Sequence, residues 1–319
     1  MPMPPGNTNS QRLVAVCLAA LVTVLFVNSV ELFGIVGSLL YLFIAVPVAY
    51  VYMRFGASCG VGAFILTTFA LTVQSGLSYA PFEYIALFGV PSLSLAFFLS
   101  RGCRWDWAAA FTAFATAVLA FGMVAAVAAG DGTTVSAIFD QQVETQLDQV
   151  REFFTTGQDL TPELQRDLRV SLRVVEERFR QTFLAFHVLG YAAFTLFQVW
   201  VLALLSGRHY SIPGESFVSW KAPEPLVWGL IVSGFVFFIA DGLLKQIGLN
   251  LLIVLLLVYY VQGLAVITCL FERRQFPMFL RGLGYGMTII LGPLPFAGIG
   301  VFDLWIDFRK KRIKGNEPF

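Results

Sequence analysis

The chain has 319 residues, of which 57% are apolar and only 13% charged, with a formal net charge of +1. Soluble domains carry about 25% charged residues, and a water-soluble molecule this apolar could not cover its surface with polar groups. The balanced charge also argues against nucleic acid as a partner, because phosphate binding needs a concentrated basic surface.

A helix needs about 20 apolar residues to cross the hydrocarbon of a bilayer. In chain order, such runs cover 13–30, 34–53, 57–76, 80–100, 105–129, 181–206, 225–241 and 246–271, followed by a last apolar segment, 278–306. Helices are expected because each must satisfy its own backbone hydrogen bonds in lipid. The first run is too long for a signal-peptide core and is read as a retained span. The fold class is therefore all-α: a polytopic transmembrane bundle, with a five-span half (1–130), an extramembrane insert (131–180) and a second membrane half (181–319). Cys17, Cys59, Cys103 and Cys269 are scattered, with no C-x-x-C and no metal spacing, so they are expected to be buried thiols acting as small hydrophobes.

The insert holds ten acids and six arginines, a net of −4. Phe139, Val143, Leu147, Val150 and Phe154 recur at helical steps, and Leu164, Leu168, Leu172, Val175 and Phe179 repeat them. Each set makes one apolar stripe on a helix. Thr156-Gly157-Gln158-Asp159 separates the two, and Thr161-Pro162-Glu163 supplies a cap, a first-turn proline and an acid at the positive helix end. An amphipathic hairpin follows. Its second helix meets no breaker before Gly190, which allows it to run into the sixth span, about 67 Å from 162 to 206.

Orientation is read from Lys and Arg. With the N-terminus in the cytoplasm, the inner links hold Arg54, Arg101, Arg104, Arg208, Lys221, Arg273, Arg274 and Arg281. The hairpin and the acids Glu31 and Glu83 then lie outside. In the last segment, Leu291-Gly292-Pro293-Leu294-Pro295 breaks the helix. A re-entrant path, 278–291 in and 296–309 out, leaves the basic run Arg309 to Arg312 in the cytoplasm. One kinked crossing is the alternative. Trp305 and Arg309, like Asp307 and Lys311, share an i, i+4 spacing that permits contact on a helix. Asp303 lies one turn deeper and must find a partner or a wet cavity.

No nucleotide-binding loop, metalloprotease motif or nucleophile elbow is present, so no catalytic residues, cofactor or metal are expected and the protein is not read as an enzyme. The G-x-x-x-G pairs Gly56/Gly60 and Gly282/Gly286 are assigned to close helix packing. Polar groups in or beside spans are the binding candidates. Glu31, Glu83, Asp241 and Lys245 fall near the outer face, where together they would line a cavity mouth. Gln262 lies in the middle of the eighth span, and Asp303 near the end of the last segment. Asn28, Gln74, His187 and Gln198 are polar groups for which a structural hydrogen bond is the simpler role.

Three stretches carry a family resemblance: Trp220-Lys221-Ala222-Pro223-Glu224-Pro225, the run from Tyr260 to Ile267 around Gln262, and the run from Gly300 to Lys310. With the helical insert in mid-chain, they resemble the YybS-like family of bacterial membrane proteins. That family is distantly similar to the substrate-binding subunits of energy-coupling factor transporters and to a rod-shape accessory membrane protein. The resemblance implies an inner-membrane location but carries no activity. Two functions are expected from it and from the polar candidates. One is a subunit that binds or transports a small molecule. The other is a non-catalytic scaffold that engages an envelope protein through 137–180. The lipid bilayer is a partner in either case.

Overall fold

A computed structural model describes residues 8–76, 79–155, 162–207 and 209–309. The basic run beyond Arg309 and residues 156–161 fall outside them. Among the described residues every regular element is helical. Contacts divide the chain into two units, Met1–Gln158 with Gly190–Gly214, and Asp159–Leu189 with Glu215–Phe319.

The first unit begins with α1 (Asn9–Val27), whose start is fixed by a capping box between Thr8 and Gln11. Two short helices, α2 (Ser29–Phe33) and α3 (Ile35–Tyr41), precede α4 (Val46–Phe55) and α5 (Ala57–Ser75). The second span is thus interrupted at 42–45, just before Pro47, and the fourth is irregular as well. There α6 (Tyr79–Glu83) passes through a π-helical stretch, Tyr84–Gly89, into α7 (Val90–Ser100), which carries Pro91 in its first turn. The two irregularities meet, because Ser92 donates a 2.6 Å hydrogen bond to the carbonyl of Ala45. A hydroxyl from a neighbouring helix thereby satisfies a backbone group near the interruption, which is how breaks are tolerated at membrane depth. The reciprocal amide pair Asn28–Gln74, at 3.1 and 2.8 Å, joins the ends of the first and third spans. The unit continues with α8 (Trp105–Gly130) and α9 (Val135–Thr155), and Phe121 stacks on Phe139 between them.

The helix α10 (Pro162–Ser206) is continuous over 45 residues, so the second hairpin helix does run on into the span, as the lack of a breaker allows. Val143 and Leu147 of the first stripe are buried, whereas Val175 of the second is exposed. The side chains of Val150, Phe154, Leu164 and Leu168 lie outside the described set.

The second unit contains the first part of α10 with α11 (Leu226–Ile239), α12 (Gly242–Arg273), α13 (Met278–Ile290) and α14 (Pro293–Ile306). Asn250 of α12 grips α10 through its backbone, accepting from Ala185 N at 2.9 Å and donating to Gln181 O at 2.7 Å. Among the described residues seven helices are long and apolar enough to cross a membrane, or eight if the bent pair α13–α14 counts as one span. The run 225–241 is shorter than expected: its helix has 14 residues, about 21 Å against roughly 30 Å of hydrocarbon. It is bounded by Pro225 and by the extended Ala240.

The arms of the last segment bend by 103°. The break sits at Leu291-Gly292, with Gly292 at φ +77°. The prolines do not themselves interrupt a helix. Pro293 opens the second arm at its first position, where a missing N–H costs nothing.

Close packing depends on glycines other than the expected pairs. A Cβ at Gly263 of α12 would stand 1.9 Å from Phe296 O, and one at Gly300 of α14 would stand 1.9 Å from Tyr259 O. Gly282 and Gly286 face open space, and Gly56 ends α4 at φ +99°. Of the two expected pairs only Gly60, against Tyr52, makes a close contact. The thiols also differ from expectation, since Cys59 is buried but Cys17 is exposed and Cys103 and Cys269 are partly so. Cys17 and Cys269 lie on helix faces that are not fully covered, and Cys103 lies in the connection between α7 and α8.

Gly263→Ala and Gly300→Ala are each expected to force α12 and α14 apart and lower the thermal midpoint in detergent by several degrees, since overpacking costs about 1–3 kcal/mol. Gly282→Ala, with nothing within reach, is expected to leave the midpoint unchanged. Circular-dichroism melting of the three variants checks the difference.

Candidate functional site

The six candidate residues fall into two sets. Glu31 on α2 and half-buried Glu83 at the end of α6 belong to the first unit. Asp241, Lys245, Gln262 and Asp303 belong to the second. Asp241 stands at the N-cap of α12 without a side-chain cap bond. Lys245 lies 5.8 Å from the ring of Phe237. No ion pair joins Asp241 to Lys245 among the described residues. His187 and Gln198 lie on α10. His187 Nδ1 is 2.9 Å from Phe183 O. Gln198 is fully buried, and neither atom of its carboxamide has a partner among the described residues.

Gln262 and Asp303 are brought together, and both are fully buried. The close approach of α12 and α14 at Gly263 and Gly300 places them face to face, and Gln262 Nε2 donates to Asp303 Oδ2 at 3.1 Å. Helix α14 ends at Ile306, and Asp307 adopts a left-handed conformation at φ +46°. The chain therefore turns back. Phe308 N donates to Asp303 Oδ1 at 3.1 Å. Arg309 reaches Asp303 Oδ2 through Nε at 3.2 Å and Nη2 at 2.5 Å. The expected contacts of Arg309 with Trp305 and of Asp307 with Lys311 both presuppose a helix continuing past Ile306. Because it stops there, Arg309 pairs with Asp303, and Asp307 pairs with Lys221 at 3.2 Å. Lys311 lies outside the described residues.

The other side of Arg309 holds a loop. Its Nη1 donates to Val218 O at 3.1 Å and to Trp220 O at 2.7 Å. Ala222 N in turn donates to Gln262 Oε1 at 3.0 Å. Trp220 and Ala222 are buried, and a buried irregular segment needs partners for its backbone groups. Two side chains supply them. The three stretches that carried the family resemblance thus converge on one cluster.

Chemically the cluster is saturated. Asp303 accepts from four donors, and Arg309 spends its guanidinium on one carboxylate and two carbonyls. A buried acid is tolerable when it is both paired and hydrogen-bonded. With every member engaged, the cluster is built to hold α12, α14 and the 218–222 segment together, and a ligand could reach Asp303 only by displacing Arg309. Among the described residues no group of three or more His, Cys, Asp or Glu could hold a metal ion. Gln262 and Asp303 stand out in the sequence, whereas the role of Arg309 does not. The only signal was that an acid so deep needs a cation, and the i+6 separation lies off the helical register.

Residues 20–304 match the family described as Predicted membrane protein (DUF2232). The chain belongs to that family. No curated protein and no solved structure matches it. A DUF2232 chain with this many apolar helices is an integral, multi-pass membrane protein.

Breaking the buried pair from either side strands a charge, at about 3–5 kcal/mol. Asp303→Asn and Arg309→Gln are each expected to destabilise the protein by that order, with the double variant losing less than the sum. Lys221→Ala, which removes the partly exposed pair with Asp307, is expected to cost no more than about 0.5 kcal/mol. Denaturation in detergent of all four variants measures the coupling.

Proposed function

We propose that the protein is a small-molecule binding or transport subunit of a bacterial inner membrane, YybS-like and distantly related to the substrate-binding subunits of energy-coupling factor transporters. The observation that supports this best is the last apolar segment. Its arms bend by 103° at Leu291-Gly292, and a fully buried carboxylate lies on the outgoing arm. Broken helices in transporters free backbone groups for ligands, and ionisable residues within spans mark substrate pathways. On this reading the Asp303–Arg309 cluster latches the outgoing arm to α12. Release of the latch changes the access to a site within the second unit, beside Gln262 and Asp303.

The accompanying topology has both termini in the cytoplasm, the hairpin outside, α11 crossing despite its length, and α13–α14 re-entrant. Single cysteines replacing Ser136, Ser211, Lys245 and Asn316, in a background without native thiols, test it with an impermeant reagent on intact cells. Ser136→Cys and Lys245→Cys are expected to react; Ser211→Cys and Asn316→Cys are expected to stay protected. Reaction at Asn316→Cys would replace the re-entrant path by a single crossing.

Binding is tested by thermal-shift screening of the purified protein in nanodiscs against small polar metabolites. At least one compound is expected to raise the midpoint by several degrees, and Asp303→Asn is expected to weaken its effect. No shift with any compound would overturn the reading. A second reading, a scaffold that engages an envelope protein, is favoured by one observation. Val170, Val174 and Val175 of α10 are 63%, 56% and 51% exposed, an apolar stripe on the charged part of that helix. Deletion of 137–180 with loss of a cross-linked envelope partner would select it.

A further inference from the structure

The first unit carries a groove of about 580 Å³ between α1 and α4, within the 300–1,000 Å³ typical of ligand sites. The helices are antiparallel there, so the N-terminal end of α1 meets the C-terminal end of α4. Ser10 and Arg54 line one end of the groove, and Val22 and Pro47 line the other, with Val14 and Leu18 between. From Ser10 to Val22 is about 18 Å along the helix, close to the roughly 15 Å depth of one leaflet. Val14 and Leu18 are 64% and 57% exposed, so the groove is open on the outer surface of its bundle.

Among the described residues the polar end has a cation with no acid beside it. Arg54 is half-buried, pairs with no carboxylate among the described residues, donates a 2.5 Å hydrogen bond to Tyr50 OH, and has the rings of Tyr50 and Phe55 at 5.8 and 5.1 Å from its guanidinium carbon. These contacts orient the guanidinium without neutralising it. A guanidinium fork matches phosphate oxygens, and a leaflet-long apolar trough beneath it matches an acyl chain.

We infer that the α1–α4 groove is a binding site for an anionic phospholipid, with an acyl chain along Val14 and Leu18 and the phosphate on Arg54. The site belongs to the first unit, whereas the Asp303 cluster belongs to the second, and it does not depend on a transport function. It commits the Arg54 end to the headgroup level of the membrane.

Native mass spectrometry of the full-length protein tests this, with phosphatidylglycerol and phosphatidylcholine of identical acyl chains as probes. The wild type is expected to retain phosphatidylglycerol about fivefold more strongly, the ratio expected for one cation at the lipid surface. Arg54→Gln is expected to abolish the preference, Arg54→Lys to keep part of it, and Val14→Trp to reduce retention of both lipids by filling the trough. Melting midpoints show which variants remain folded, and the Arg54→Lys comparison stands even if Val14→Trp does not fold. Equal retention of the two lipids by the wild type, or an unchanged preference in Arg54→Gln, would overturn the inference. So would equal competition by soluble glycerol phosphate, which would make the site one for free phosphate. A dimer lost in Val14→Trp would give the groove to a second copy of the chain and would overturn it as well.

Discussion

One end of the second unit is organised by the need to bury a carboxylate at Asp303. A carboxylate inside an apolar bundle is stable only when it is paired and its remaining lone pairs are filled. Helix α14 therefore has to stop at Ile306, because a continuing helix would carry Arg309 to the wrong face. The left-handed turn at Asp307 reverses the chain and brings a backbone N–H and a guanidinium onto the same acid. That guanidinium in turn provides the donors that a buried loop at 218–222 needs, and Gln262 completes the set. The approach at Gly263 and Gly300 is part of the same arrangement, since a side chain at either position would separate the helices that carry Gln262 and Asp303.

A related device recurs elsewhere in the helices. At several places a short polar side chain from a neighbouring helix takes up backbone groups. Ser92 does so at Ala45, Ser29 at Gly37 with a 2.8 Å bond, and Asn250 at the 181–185 turn of α10. In water such bonds compete with solvent and contribute little. In lipid no solvent is at hand, so they set where a helix can bend and which neighbour it must bend against.

Most of the spans are legible in the sequence because hydrocarbon thickness imposes a minimum length and an apolar composition. The continuity of α10 was legible because no Gly or Pro lies between Pro162 and Gly190. Asp303 and Gln262 stood out because polar groups in apolar runs are rare. What was not legible depended on contacts between helices. The glycines that pack closely, Gly263 and Gly300, have no motif spacing within either helix. The i, i+4 rule paired Arg309 with Trp305, but only the end of α14 decides whether that rule applies. The length of α11 depends on where Pro225 and Ala240 place its ends, which hydropathy alone does not show.

Arg54 and Arg309 both stand at the end of a helix, and their surroundings assign them different work. Arg309 is 8% exposed at its side chain and meets a fully buried carboxylate, so its charge is cancelled inside the protein and its hydrogen bonds are spent on this chain. Arg54 meets a phenol and two rings, groups that fix its direction but leave its charge intact. An arginine of the first kind fastens the structure to itself. One of the second kind, at the mouth of an open apolar trough, is arranged for an anion that none of the described residues supplies, and the bilayer supplies anions at that depth attached to chains of the right length.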